Sequence, residues 1–149
     1  MYLMLQQNEP DDYVIATGVT TEVREFIKKT FNTLGIEVIF SGKNEKEIGT
    51  ITNLDDALFV EKVGKEYLKK IKKRISVNPV TVKVDVNYFR PTEVEMLIGD
   101  ASKAREKLGW IPEYDLDSLI NDMISSDLGL MKKESHIRKG GYKTFNYFE

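Results

Sequence analysis

The sequence predicts an α/β fold, on three observations. A short apolar run at residues 12–18 is followed by a helical pattern from Glu22 to Gly35 and then by an alternating strand pattern at Ile36, Val38 and Phe40. Strand, helix and strand in this order suggest one winding of an α/β unit. Further along, Val80, Val82, Val84 and Val86 alternate strictly with Thr81, Lys83 and Asp85, the pattern of a half-buried strand.

Each element has its own local reason. The opening places Leu3, Met4 and Leu5 in the first turn of the chain with no capping residue ahead of them, so it reads as the tail of a helix whose beginning is missing. Asp12 to Gly18 follows a Pro-Asp turn, and its β-branched and aromatic residues suit a buried strand ended by Gly18. Val23, Phe26, Ile27, Phe31 and Leu34 share one helical face, with Thr21 as N-cap and Gly35 as the stop. Residues 41–53 are polar and contain glycine, and they read as a loop.

From about Asp55 to Ile75 a second helix is predicted through Phe59, Val63, Tyr67, Leu68, Ile71 and Ile75, weakened by Gly64. Pro79 marks the start of the valine strand. Asp100 caps a short helix from Ala101 to Leu108 that Gly109 closes, and Asp115 caps a final helix over about 116–133. The tail from residue 135 is basic, broken by Gly140 and Gly141, and ends rich in aromatics.

Bulk properties exclude several classes of function. The chain has 149 residues, no cysteine and a formal net charge of −2 with both signs mixed. Disulfide frameworks, thiolate nucleophiles and Cys-based zinc sites are therefore absent, which fits a cytoplasmic location. No apolar run approaches the roughly 20 residues that cross a bilayer, and no signal-peptide pattern opens the chain. A pI near 5.6 argues against a nucleic-acid partner, although Lys69, Lys70, Lys72, Lys73 and Arg74 form a basic run. Basic residues towards the end of a helix complement its dipole and solvate its outer face, and that reading is preferred to phosphate binding.

Catalytic parts are scarce. His136 is the only histidine, and its neighbours Lys132, Lys133, Arg138 and Lys139 mark a solvated helix end. Carboxylates are spread over helix surfaces without ligand spacing, so no metal is expected. No Gly-x-Gly-x-x-Gly or Gly-Lys-Ser/Thr loop occurs, and no tyrosine has a lysine four residues later.

Arg90 stands out on physical grounds alone. Set between Phe89 and Pro91 directly after a strand, it is held in a stiff non-helical turn where its planar fork could grip a phosphate bidentately. Glu93 is placed to accept hydrogen bonds from vicinal hydroxyls such as those of a ribose. The alternative is an ion pair from Arg90 to Glu93 or Glu95 that only fastens the loop, and spacing leaves the two readings even.

Several runs resemble a known family. They are Met4-Leu5-Gln6-Gln7, Asp12-Tyr13-Val14-Ile15-Ala16-Thr17-Gly18, Val23-Arg24-Glu25-Phe26, Tyr88-Phe89-Arg90-Pro91-Thr92-Glu93-Val94-Glu95 and Lys103 to Pro112. Together they resemble GDP-mannose 4,6-dehydratase over nearly the whole chain, except mainly between Ile51 and Val80. The last run is shared by extended short-chain dehydrogenases acting on nucleotide sugars, while the Asp12 and Phe89 runs are narrower. The resemblance implies the C-terminal part of such a fold, with the last Rossmann strand and helix plus a small mixed α/β substrate-binding domain. Residues 1–35 would be the Rossmann remnant, 36–134 the substrate-binding domain and 135–149 a tail.

The family's reaction oxidises mannose C4 with NADP, eliminates water across C5 and C6, and returns the hydride to C6. By resemblance, Arg90 meets the GDP pyrophosphate and Glu93 the ribose of GDP-mannose. The glycine-rich loop, the Tyr-Lys pair and the catalytic glutamate of the family have no counterpart in these residues. The chain alone is therefore expected to bind no NADP and to be inactive. Its other expected partners are a separate N-terminal half or a second copy of itself.

Overall fold

A computed structural model describes residues 1–90 and 97–144. The element order is α1 (Tyr2–Leu5), α2 (Val23–Asn32), β1 (Ile36–Ser41), β2 (Ile48–Leu54), α3 (Asp56–Lys62), α4 (Lys65–Val77), β3 (Val80–Lys83), α5 (Ser102–Leu108) and α6 (Leu116–Lys139). The strands form one antiparallel sheet in the order β1-β2-β3. The fold is thus a mixed α/β arrangement, with helices around a small antiparallel sheet.

The core follows from the alternation in β1. Ile36 and Val38 point inward while Glu37 and Ile39 face solvent, the period-two pattern of a sheet with one buried face. Ile51 of β2 and Phe59 of α3 complete the buried cluster, against which Phe31, Leu68 and Ile71 pack from the flanking helices and Leu34 from the turn after α2. Gly35 lets the chain reverse between α2 and β1 at a φ of 73°. Its carbonyl accepts the Asp55 amide at 2.7 Å, which ties the end of β2 back to that turn.

Several expectations change, among them the valine strand, which ends at Lys83 and does not reach Val84 and Val86. The stretch 41–53 is no loop, because Ile48–Leu54 is the central strand and Asn44–Lys46 is a 3₁₀ turn in the hairpin before it. The strand–helix–strand winding becomes a helix leading into an antiparallel hairpin, since β1 pairs with β2 and makes no ladder with residues 12–18. Residues 12–18 form no regular element and are not part of a sheet; a strand exists only where a neighbour accepts its hydrogen bonds. The helix expected from Asp55 to Ile75 is two helices, because Gly64 adopts a φ of 126° that no helix tolerates.

Caps behave as their chemistry requires. Asp55 and Asp115 accept from the amides of Leu58 at 3.0 Å and Ser118 at 2.8 Å, which starts α3 and α6. Hydrogen bonds from Ser118, its hydroxyl first, lower the Asp115 pKa. Thr21 is not the cap of α2; the extended Glu22 takes that place without a side-chain bond. The expected cap Asp100 sits one residue early, accepting from the Ser102 hydroxyl at 2.6 Å and the Ser102 amide at 2.9 Å, and its pKa is lowered. Gly109 ends α5 in the left-handed region, and α6 runs six residues beyond its expected end at Lys133, to Lys139.

Among the described residues no helix is long and apolar enough to cross a membrane, and no group of three or more acidic or histidine side chains could hold a metal ion. The basic run of α4 is partly engaged within the chain. Arg74 donates to the carbonyls of Asn78 and Val80, Lys72 pairs with Asp56, and Lys70 lies 5.7 Å from the Tyr67 ring centre. These contacts favour the helix-end reading over a phosphate-binding one.

Candidate functional site

Arg90 is reached through a turn built by Asp85. Beyond β3, the Asp85 carbonyl accepts from the amides of Tyr88 at 3.0 Å and Phe89 at 3.1 Å, while its carboxylate accepts from the Asn87 amide at 2.9 Å and the Asn87 side chain at 3.0 Å. An aspartate holding the backbone two residues on is a self-contained turn device. It sets Phe89 half-buried and Arg90 exposed, so the guanidinium is presented to solvent and not absorbed into the core. Glu93 and Glu95 lie outside the described residues, and with them the ion-pair alternative.

Just before that turn lies a cavity of about 310 Å³, lined by residues of α2 and β3 together with Phe40 and Glu47. Ile27, Phe40 and Val82 give it an apolar floor. Its polar wall carries Arg24, which pairs with Glu22 and Glu47, each at 3.1 Å. The size falls at the lower end of small-ligand sites, which run from roughly 300 Å³ upwards. Lys83 adds a second cation, so the wall offers two positive and two negative groups that an entering ligand could re-pair.

Arg24 is the residue that sequence reasoning passed over. A signal was available: it stands in the first turn of α2, where the helix dipole disfavours a cation, so something other than helix stability accounts for it. Val84, six residues before Arg90, lines the same cavity, while Arg90 itself is not among its lining residues.

A second feature fixes the segment that leads into α2. Asp11 pairs with Lys103 and, at 3.2 Å, with Lys107 of α5, and Lys103 lies 5.3 Å from the Tyr13 ring centre. The two ammonium groups, Lys103 foremost, hold the Asp11 carboxyl at about 2, below its ordinary 3.8. A depressed folded pKa means that this tether is fully present above about pH 4 and is lost as pH falls through about 2. In an NMR titration the Asp11 carboxyl should titrate near 2, and Lys103→Met should move it towards 3.8; an unchanged midpoint in the variant would show that Lys103 is not the cause.

No two glycines stand two positions apart, and the three described strands pair antiparallel, leaving no parallel strand–turn–helix to present amides to a pyrophosphate. Among the described residues, no such arrangement fits the pyrophosphate of NADP.

Comparison with known proteins bears on the identity of the chain. The family model described as GDP-mannose 4,6 dehydratase matches residues 1–123. A GDP-mannose 4,6-dehydratase of Yersinia enterocolitica is 42% identical over 141 residues, covering 95% of this chain and 34% of the relative. One from Vibrio cholerae is 41% identical with the same coverage, and the Homo sapiens protein is 40% identical over 132 residues, covering 89% of this chain and 29% of the relative. The chain spans about a third of the length of these relatives. A family match over most of the chain, joined to the identity with these relatives, shows that the chain belongs to the GDP-mannose 4,6-dehydratase family.

Proposed function

We propose that this chain supplies the GDP-mannose-binding part of a GDP-mannose 4,6-dehydratase, the enzyme that forms GDP-4-dehydro-6-deoxy-mannose with NADP, and that alone it performs no catalysis. The observation that carries the reading is the match along 95% of the chain to a relative of that name, of which it spans only 34%. Arg90 supports the binding half. It is exposed, set by a rigid turn and free of helix or strand constraints, as a diphosphate-gripping guanidinium must be. Glu93, three residues further on, is the proposed acceptor for the ribose hydroxyls.

The chain's own residues in this reading bind and orient. A bidentate arginine fixes the diphosphate, a carboxylate fixes the ribose, and the sugar is thereby held for groups that lie elsewhere in the family's fold. The cofactor's share, when bound in the full family architecture, is hydride transfer. Residues 36–134 are proposed as the substrate-binding unit.

Calorimetric titration of GDP-mannose into the purified chain tests the binding half, with 1:1 heat expected and mannose 1-phosphate giving none. Absence of heat up to millimolar nucleotide sugar overturns it. The catalytic half is tested by incubation with GDP-mannose and NADP, where a 4-dehydro product from the chain alone would overturn the claim of inactivity.

A further inference from the structure

α6 carries two apolar stripes, and the fold covers only one of them fully. Ile120 is buried, and Ile124 and Leu128 are half-buried, on the side that meets the rest of the chain. There Lys29 of α2 pairs with Asp117, and the Tyr67 hydroxyl of α4 donates to Ser135 at 3.1 Å. A second stripe runs beside that side. Leu116, Leu119, Met123, Leu130 and Ile137, with Ser126 and Lys133 among them, recur at alternating steps of three and four. That is the 3.5-residue repeat of a seam between two helices. Its central apolar members, Leu119, Met123 and Leu130, are 42%, 46% and 48% exposed, so the described residues leave nearly half of each side chain open.

Gly129 adjoins this seam in the middle of a 24-residue helix, a place where glycine is the least favourable residue after proline. No heavy atom of the rest of the fold lies within 4 Å of where its Cβ would stand, so packing inside the chain does not call for it. A missing side chain beside the seam lets a second helix approach closely.

The charges of α6 say which helix that is. Residues 115–127 carry Asp115, Asp117, Asp122 and Asp127 and no cation, whereas residues 128–139 carry Lys132, Lys133, Arg138 and Lys139 against the single Glu134. The helix dipole accounts for charges in the first and last turns only, which leaves Asp122, Asp127, Lys132 and Lys133 unexplained by it. A helix with one acidic and one basic half is its own complement when turned end for end. A uniformly acidic or basic partner would match one half and oppose the other.

We propose that α6 pairs antiparallel with α6 of a second copy of this chain along the seam of Leu119, Met123 and Leu130. Heptad layers then set Leu119 opposite Leu130 of the other copy and Met123 opposite Ser126, each twice. Leu116 meets the stem of Lys133, whose ammonium comes beside Asp115 of the other copy. A two-fold axis at the middle of the helix closes the pair, so assembly stops at two copies. The pairing stands apart from nucleotide binding, because neither Arg90 nor the cavity between α2 and β3 takes part in it.

Light scattering of the full 149-residue chain at submillimolar concentration should give the mass of a dimer that returns to monomer on dilution. Leu119→Glu and Leu130→Glu should each weaken the dimer by roughly tenfold or more, since each sets a carboxylate against an apolar layer. Circular dichroism of the dilute variants should match the dilute parent, because both side chains are already half exposed and lie outside the buried cluster. The orientation is read by oxidative cross-linking, which is clean in a chain without cysteine. A Leu119→Cys chain mixed with a Leu130→Cys chain should form the mixed disulfide. Leu119→Cys alone should not, since the antiparallel register sets its two copies about 16 Å apart along the axis. A chain that stays monomeric, a dimer indifferent to both glutamate variants, or Leu119→Cys cross-linking with itself as readily as with Leu130→Cys overturns the proposal.

Discussion

Phe59→Ala is expected to destabilise the chain by about 3–5 kcal/mol, the usual cost of emptying a buried phenylalanine site. Phe59 is 5% exposed and is the only helical side chain in a four-residue cluster with Ile36, Val38 and Ile51. The cavity has little means of collapsing. Asp55 fixes the start of α3 twice, through its side chain to the Leu58 amide and through its own amide to the Gly35 carbonyl. The helix itself has only seven residues and cannot persist alone. Against a total stability on the order of 5–15 kcal/mol for a domain, a loss of this size leaves a substantial unfolded fraction. Urea unfolding followed by circular dichroism gives the number, and Phe59→Leu should recover most of it because the volume change is small. A loss below about 1 kcal/mol would mean that the cluster is not the core.

How far the fold was legible follows from which signals are local. α2, α5 and α6 carry both a 3.6-residue apolar period and a local start or stop, and such elements need no distant partner to be recognised. β2 was illegible because its pattern is set by its neighbours. Gly49 sits where an added Cβ would lie 3.0 Å from Val82 and 3.1 Å from Val38, so the glycine that reads as a loop signal is there to let the flanking strands approach. A register shift between Gly49 and Thr50 further blurs the alternation. The split at Gly64 is of the same kind, since helical periodicity continues across it and only its φ of 126° reveals the break.

The run at 12–18 failed in the opposite sense. Its composition asks for a strand, and composition is all that a sequence can show; whether a ladder forms depends on a neighbour that no described residue provides. Arg90 drew notice in the sequence because a strand and a proline flank it, yet the strand ends at Lys83, seven residues earlier, and the turn that presents Arg90 is built by Asp85; Arg24 acquires meaning only when α2 is brought against β3 and the hairpin.

Arg90→Ala should weaken GDP-mannose binding by roughly one to two orders of magnitude, since a charge-assisted hydrogen bond contributes about 1.5–3 kcal/mol and a bidentate pair has two. The Asp85 turn makes the test a clean one. That turn closes through the Asp85 carbonyl and carboxylate on the amides of residues 87–89, and the exposed Arg90 side chain takes no part in it, so its removal should leave the unfolding midpoint near that of the parent. Arg90→Lys should recover only part of the affinity, because an ammonium keeps the charge but not the planar fork. Glu93→Gln should act differently, lowering affinity for GDP-mannose while narrowing the gap between GDP and its 2′-deoxy analogue, as fits a carboxylate that accepts from the ribose. Salt dependence supplies the last discrimination. The parent's affinity should fall with added salt more steeply than that of Arg90→Ala, because the cation meeting the diphosphate is gone in the variant. Equal slopes and equal affinities in the two proteins would remove Arg90 from the nucleotide site.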